Sequence, residues 1–356
     1  MGKVLIAMSG GVDSSVAAYL LKHSGWDCVG ATMTLYRNED IGISRSRTCC
    51  SLEDVEDARS VAFRLRIPYY VFNFSDEFRR QVMDRFADAY GQGRTPNPCI
   101  DCNRHLKFDK LFQRAKELGF DYVVTGHYAR IEYDEKSGRY LLKKALDDTK
   151  DQSYVLYSMT KEQLAHTRFP LGALRKTEVR EIAGQNGFVN AHKHDSQDIC
   201  FVQHGTYADF IKKTTGKDYP AGDFIDSAGN VLGRHKGIIY YTVGQHKGLG
   251  ISSEEPWYVK EVRPAENTVV LCRSEELFTS VLEAADVNLI SVDRIDAPMR
   301  VCAKVRYRQK EQPATVTQLE NGHIRVEFDQ PQRAITKGQA VVLYDGDIVV
   351  GGGTIV

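Results

Sequence analysis

The sequence predicts an α/β chain: a doubly wound parallel sheet in an N-terminal domain, then a small β-rich module and a C-terminal β-barrel. Three observations predict it. Apolar strand candidates alternate with helix candidates over residues 1–150, the pattern of a parallel sheet covered by helices on both faces. From about residue 205 glycines become dense (Gly216, Gly222, Gly229, Gly233, Gly237, Gly244, Gly248, Gly250) and strands short. From about residue 266 short β-type runs separated by turns continue to the end, as in a barrel or sandwich. The expected division is 1–205, 206–265 and 266–356.

The elements follow in order. Lys3–Met8 is apolar after its lysine, as a strand buried on both faces must be. Ser9-Gly10-Gly11-Val12-Asp13-Ser14-Ser15 then turns the chain, and Val16, Ala17, Leu20 and Leu21 share one face of a helix, Ser14–His23. Further strands are expected at Cys28–Leu35, Tyr69–Phe74 and Tyr122–His127, and further helices at Leu52–Leu65, Asp76–Tyr90 and Phe108–Leu118. Ligands of such sheets lie beyond the carboxyl ends of the strands. Met8, Leu35, Phe74 and Gly126 fall at such ends. Residues 37–51 lack periodicity and read as a surface loop holding Cys49 and Cys50, with Ser51-Leu-Glu-Asp as a capped helix start. Residues 139–200 add a hairpin-like pair, the segment Lys150-Asp151-Gln152-Ser153-Tyr154, a helix around Thr177–Gly184, and a stretch from His192 to Cys200-Phe201. The barrel strands include Thr268–Cys272, Val301–Tyr307, His323–Phe328 and Ala340–Tyr344.

Composition bounds the function. The chain has 356 residues, 42% of them hydrophobic and 26% charged, which is ordinary for a globular protein with two or three cores. Formal net charge is zero, so contact with nucleic acid must come from local basic patches. No apolar run approaches the roughly 20 residues needed to span a bilayer. The N-terminus reads as a core strand, not a signal peptide, and the expected location is the cytoplasm with no membrane contact. The eight cysteines are Cys28, Cys49, Cys50, Cys99, Cys102, Cys200, Cys272 and Cys302. In a reducing compartment they read as buried thiols, ligands or catalytic groups.

The glycine loop is the first chemical signal. Two adjacent glycines let the backbone approach a ligand closely, and the helix start that follows favours an anion. No Gly-Lys-Ser/Thr closes it, so it is not a Walker A loop. The third glycine of the dinucleotide fingerprint is missing as well. A plain turn with Ser14 or Ser15 as N-cap would explain a glycine pair. The full Ser-Gly-Gly-Val-Asp-Ser string resembles the pyrophosphate loop of the ATP pyrophosphatases, which adenylate an oxygen and release pyrophosphate.

The second signal is Thr95-Pro-Asn97-Pro98-Cys99-Ile-Asp-Cys102-Asn-Arg-His-Leu-Lys-Phe108. Its prolines predict an extended, shaped loop before the helix from Phe108. Arg104, His105 and Lys107 are expected to lower the thiol pKa and favour a thiolate. A zinc ribbon needs a second C-x-x-C, and there is none. Spacing leaves two readings open: a thioredoxin-like dithiol, or a catalytic thiol working with Cys200.

Taken together, several motifs resemble the bacterial tRNA-specific 2-thiouridylases. They are the pyrophosphate loop, Thr-Pro-Asn-Pro-x-x-x-Cys-Asn, Thr-Gly-His-Tyr-Ala, Lys-Asp-Gln-Ser-Tyr, Asp-Ser-Gln-Asp-Ile-Cys-Phe and Tyr-Thr-Val-Gly-Gln-His-Lys-Gly-Leu-Gly, in this order from residue 1 to at least 340. The resemblance implies sulfur insertion at C2 of a wobble uridine in tRNA. ATP, with Mg2+, would activate the C2 oxygen. Cys200 would carry a persulfide supplied by a sulfur donor protein, a cysteine desulfurase or sulfur relay. Cys102 would be the nucleophile, and the pair could end as a disulfide. The implied ATP contacts are Ala7, Met8, Ser9, Gly10, Gly11, Val12, Asp13, Ser14, Met33 and Gly126. The implied tRNA contacts are Asn97, Pro98, Cys99, His127, Lys150, Asp151, Gln152, Tyr307, Arg308 and Gln339. Many members have Asp where this chain has Cys99. Three thiols, Cys99, Cys102 and Cys200, could then hold an iron–sulfur cluster or a metal, a secondary expectation.

The run Lys304-Val-Arg306-Tyr-Arg308-Gln-Lys310 reads as a strand with four basic residues on one face. That suits phosphates, or a charge-protected edge strand. Two alternatives stand beside the resemblance. One is a pyrophosphate-loop ligase or amidase acting on a small metabolite. The other is a non-catalytic RNA-binding or sulfur-carrier protein.

Overall fold

A computed structural model describes residues 2–36, 52–191, 193, 199–202 and 205–356. Cys49, Cys50, the loop 37–51 with Ser51, and most of the stretch before Cys200 lie outside the described residues. The chain divides into two compact units. One is Met1–Val82 with Cys99–Gln203 and Asp347–Val349; the other is Met83–Pro98 with His204–Gly346 and Val350–Val356.

The first unit is built on a parallel sheet in the order β3-β2-β1-β4-β7. Its strands are β1 (Lys3–Ala7), β2 (Asp27–Thr34), β3 (Tyr69–Asn73), β4 (Tyr122–Val124) and β7 (Thr167–Arg168). Val4, Leu5 and Ile6 have no exposed surface, which is why the central strand is a continuous apolar run. The helices α1 (Val12–His23) and α2 (Leu52–Arg64) follow their strands, and α8 (Lys176–Gln185) packs against α1. Val16, Ala17, Val61, Ala62, Val179 and Ala183 close one core with Val4 and Ile6. Small residues at the contacts let the helices lie close to the sheet. A hairpin, β5 (Arg130–Asp134) and β6 (Arg139–Lys143), pairs antiparallel from Arg130↔Lys143 to Asp134↔Arg139. Asp347 joins it through Arg130 at 2.6 Å and Lys143 at 3.3 Å.

Two sequence expectations about elements change. The fourth strand stops at Val124, so Thr125, Gly126 and His127 are loop. The segment before Phe108 is helical, not extended. Here α5 (Pro98–Asp101) runs into a π-helical stretch (Cys102–Lys110) and then α6 (Leu111–Glu117). Pro98 opens it because a proline at the first helical position gives up an N–H that has no partner there anyway. A similar path joins α3 (Ser75–Phe78) through Arg79–Asp84 to α4 (Arg85–Gly91). The first unit also holds α7 (Lys161–Ala165), capped by a reciprocal Thr160–Gln163 box, whereas α4 belongs to the second unit.

The second unit opens with α9 (Tyr207–Thr215), capped by Thr206 and Asp209 and ended by Gly216 at φ +62°. Next comes a four-stranded sheet ordered β10-β11-β8-β9, of β8 (Gly222–Ile225), β9 (Val231–His235), β10 (Tyr258–Arg263) and β11 (Thr268–Cys272). Thr268–Cys272, expected with the barrel, pairs here instead, from Tyr258↔Cys272 to Arg263↔Thr268. Asn267 at φ +50° tightens the turn that returns it to its neighbour. Six strands then form the barrel: β12 (Phe278–Leu289), β13 (Met299–Lys304), β14 (Gln312–Gln318), β15 (Ile324–Arg333), β16 (Ala340–Asp345) and β17 (Ile348–Ile355). Their order is β12-β15-β14-β13-β16-β17, closed by β12 against β17. Ile324, Val326 and Phe328 point inward with exposed residues between them, the alternation that a barrel wall requires.

The basic run also differs from expectation. The strand ends at Lys304, and residues 305–309 are bends and turn, so alternation does not order them. Val305 is buried. The Arg306 guanidinium donates to the carbonyls of Val243 at 3.2 Å and Ala334 at 3.0 Å and to Thr336 Oγ1 at 2.7 Å. Arg306 is therefore a structural brace rather than part of a phosphate ridge, while Arg308 and Lys310 are exposed.

Candidate functional site

The glycine loop leaves β1 beyond its carboxyl end. Met8 is tied to the neighbouring strand by its N–H to the Ala31 carbonyl at 2.8 Å and by Thr32 Oγ1 to its own carbonyl at 2.6 Å. Tyr69 OH donates to Thr32 Oγ1 at 2.6 Å and fixes that rotor. Gly10 sits at φ +76°, and a Cβ there would lie 2.4 Å from the Asp54 carbonyl oxygen. Only glycine meets both conditions. The N-cap of α1 is Gly11, with no side-chain cap. Ser14 and Ser15 point their hydroxyls back to the Gly11 carbonyl at 3.1 and 3.0 Å. The plain reading of Ser14 or Ser15 as N-cap therefore fails, and the helix start keeps its anion-binding character. Ser14 Oγ also accepts from Ser9 N–H at 3.1 Å, which closes the loop on itself. Gly126 backs onto it: a Cβ there would meet Asp13 C and Ser14 N at 2.8 Å. Ala7 and Met33 are half-buried, and Met33 pairs with Phe72 at the end of β2.

Sequence reasoning missed three residues at this loop. Lys176 Nζ bonds both carboxylate oxygens of Asp13, at 2.7 and 2.8 Å. Tyr128 OH donates to Asp13 Oδ1 at 2.9 Å. Buried Asn190 donates its amide to the Gly10 carbonyl and to Ser15 Oγ, both at 2.9 Å, and its Oδ1 has no partner among the described residues. Lys176 and Asn190 come from 163 and 180 residues away along the chain, and no local pattern announces them. Tyr128 stood inside a quoted motif, but its role depends on the turn that follows β4.

The thiols are placed by helices and aromatic packing. Cys99 lies in α5, exposed, and Cys102 begins the π-helical stretch, half-buried. Burial pushes the Cys102 thiol up to about 11, and Lys107 pulls only partly against it. The surrounding protein lifts Cys99 too, although that residue is exposed by area. The expected low-pKa thiolate is thus not present in the free protein: lost hydration outweighs the one nearby ammonium. The carbonyl of Cys200 accepts from Tyr36 OH at 3.1 Å, and Phe201 meets Phe78 edge-on at 5.8 Å. Phe78 belongs to α3, which packs against the π-helical stretch. Both cysteines accordingly hang on one set of packed elements.

His127 is buried between Phe108 and Phe169. Its Nδ1 lies 2.6 Å from Thr125 Oγ1 and its Nε2 3.5 Å from Lys107 Nζ. Burial, and then Lys107, hold its pKa well below the usual imidazole range. It is a neutral ring, not a switch near neutral pH.

Among the described residues, no donor set suits a resident metal. Asp13 is taken by Lys176 and Tyr128. Among the described residues no group of three or more His, Cys, Asp or Glu side chains gathers to hold an ion. The cluster expected on Cys99, Cys102 and Cys200 therefore has no assembled ligand set.

Comparison with known proteins bears on the whole chain. Residues 2–204 match the family model described as tRNA methyl transferase HUP domain. Residues 208–273 match the tRNA methyl transferase PRC-barrel domain, and 279–355 the aminomethyltransferase beta-barrel domain. The chain is 54% identical to the tRNA-specific 2-thiouridylase MnmA of Clostridioides difficile (strain 630), over 99% of this chain and 98% of that one. The chain belongs to the tRNA-specific 2-thiouridylase family. The family enzyme of Acetivibrio thermocellus is 52% identical over 99% of both chains. A solved 4-thiouridine synthetase–RNA complex with bound ATP overlaps 60% of this chain and 50% of its own, at 18% identity and a TM-score of 0.36, too low to carry weight.

The residues that the family pattern assigns to tRNA fall in both units. Asp151 accepts from the N–H groups of Ala145 and Ser153 at 3.0 and 3.2 Å and from Ser153 Oγ at 2.8 Å. Gln152 exchanges bonds with Tyr128, Oε1 accepting at 2.9 Å and N–H donating at 2.8 Å. These contacts hold Lys150–Gln152 beside the residue that binds Asp13. In the second unit, Gln339 Nε2 donates to the Thr95 carbonyl at 2.7 Å, and Thr95 N–H to Lys337 at 2.9 Å. The approach to Asn97 and Pro98 is therefore pinned to the barrel residues around Gln339. Tyr307 lies under Lys304 Nζ at 5.7 Å.

Proposed function

We propose that this chain is an ATP-dependent tRNA-uridine 2-sulfurtransferase acting on the wobble uridine. Full-length identity of 54% to a named tRNA-specific 2-thiouridylase carries the reading. The uncapped, glycine-shaped helix start after β1 supports its ATP half. The C2 oxygen attacks the α-phosphorus of ATP and expels pyrophosphate, which turns a poor leaving group into AMP. The Cys102 thiol gives up its proton and attacks the Cys200 sulfur of a Cys200 persulfide; the S–S bond breaks, a Cys102–Cys200 disulfide forms and hydrosulfide leaves. Hydrosulfide attacks C2 and displaces AMP. A thiol reductant then restores both cysteines. The base reaches the site by leaving its stack, which costs a few kcal/mol at most for an anticodon-loop nucleotide.

Residues 1–205 serve adenylation and thiolation, and the C-terminal barrel contacts tRNA. Asn97, Pro98 and Cys99 frame the base. His127, Lys150, Asp151, Gln152, Tyr307, Arg308 and Gln339 line the RNA path. A persulfide-bearing protein supplies the sulfur, in the cytoplasm. Among the described residues no helix is long and apolar enough to cross a membrane.

The test is incubation with ATP, magnesium, a persulfide source and unmodified tRNA, followed by nucleoside mass analysis. Product should vanish in Cys102→Ser and Cys200→Ser while ATP binding persists. Full activity of Cys102→Ser would instead favour a ligase that needs no thiol.

A further inference from the structure

We propose that Lys176 is the cation of the nucleotide site: held at the glycine loop by Asp13, its ammonium takes the pyrophosphate portion of ATP. The inference rests on the ATP-using reading above and names a residue for it. The loop lacks the lysine that closes a Walker A loop. A helix start supplies only about half a positive charge, against a polyphosphate carrying several negative ones. Asp13, in the first turn of α1, would by itself repel that ligand. The fold answers from 163 residues away. Lys176 opens α8, and its side chain is 10% exposed. Its ammonium reaches both Asp13 oxygens at 2.7 and 2.8 Å and lies 5.6 Å over the Tyr128 ring. Tyr128 OH fixes the same carboxylate at 2.9 Å. Gly126 packs closely on the backbone of Asp13 and Ser14. The ammonium is thus held at the first turn of α1 by the Asp13 carboxylate.

A bland explanation competes: Lys176 only neutralises a partly buried carboxylate. The two differ in a double variant. Binding of ATP and of inorganic pyrophosphate to the full-length chain is measured by calorimetry, with thermal melts as a folding control. Lys176→Met should weaken pyrophosphate binding at least about tenfold, the size of a lost charge-assisted contact. Lys176→Arg should retain most of the affinity. Asp13→Asn/Lys176→Met should stay as weak as Lys176→Met. Wild-type affinity in the double variant, or in Lys176→Met, overturns the proposal. If Lys176→Met does not fold, Asp13→Asn against the double variant makes the same comparison with no orphaned carboxylate. A wild-type chain that neither binds ATP nor thiolates unmodified tRNA would sink the activity reading itself, a result separable from any defect confined to the variants.

Discussion

Replacing Gly126 by Ala tests whether the nucleotide loop is shaped by close backbone approach. The new Cβ would stand 2.8 Å from Asp13 C and Ser14 N and 3.1 Å from Asp13 Cβ, whereas ordinary contact begins at 3.4 Å. Two of these neighbours are backbone atoms, so no flexible side chain can yield. Either β4 or the first turn of α1 must retreat by about half an ångström. Overpacking of this kind costs roughly 1–3 kcal/mol, or about 2–12 °C in Tm for a unit of this size. The displaced atoms belong to the loop proposed to hold phosphate, so ATP affinity should fall on the order of tenfold. The assays are a thermal melt and calorimetric ATP titration of the full chain. Gly184→Ala is the control. It lies near the end of α8 with nothing within 4 Å of its added Cβ, and should be neutral or stabilising by up to about 1 kcal/mol. A Gly126→Ala protein that melts and binds ATP like wild type would refute the reasoning.

The remaining predictions are shorter. Alkylation of Cys102 in the free protein, followed by peptide mass, should rise steadily from pH 9 to 11, because its thiol is pushed up to about 11; a plateau reached below pH 8 would contradict the burial argument. The same shift means that the folded state holds this proton more tightly than the unfolded chain. The stabilisation is full below the ordinary thiol pKa of about 8.5 and is lost as pH rises towards 11; acid-side stability should not depend on Cys102. Arg306→Ala removes donors to two carbonyls and a hydroxyl, and should lower Tm through a loss of about 1.5–3 kcal/mol with the salt slope of tRNA binding unchanged. Arg308→Ala should do the reverse, leaving Tm alone and flattening that slope by about one; equal behaviour of the two variants would show that the exposed arginine does not meet phosphate.

Much of the site was legible because it is local. Ser9 to Ser15 carries its own geometry: two glycines, a preceding apolar strand and a following amphipathic helix dictate an anion-binding turn whatever the rest of the chain does. The strand at Lys3–Ala7 and the helices over 52–64 and 176–185 were readable for the same reason, since burial imposes a period on the residues that form them. Where spacing was asked to report environment, it misled. Arg104, His105 and Lys107 looked sufficient to make a thiolate of Cys102, yet desolvation outweighs the Lys107 ammonium. The basic run after Lys304 kept its charge but not its strand, because Val305 and Arg306 turn inward to close the barrel end.

The amino-acid order alone determined the sheet-then-barrel plan and the glycine turn after the first strand, because each is encoded within a few neighbouring residues. Only the tertiary structure decided that Lys176 and Asn190 serve the loop, that His127 is neutral, and that Cys102 is a reluctant acid. Those properties arise from groups that the fold brings together, across more than a hundred residues for Lys176 and Asn190, and from water removed around them, and neither leaves a mark in the local sequence.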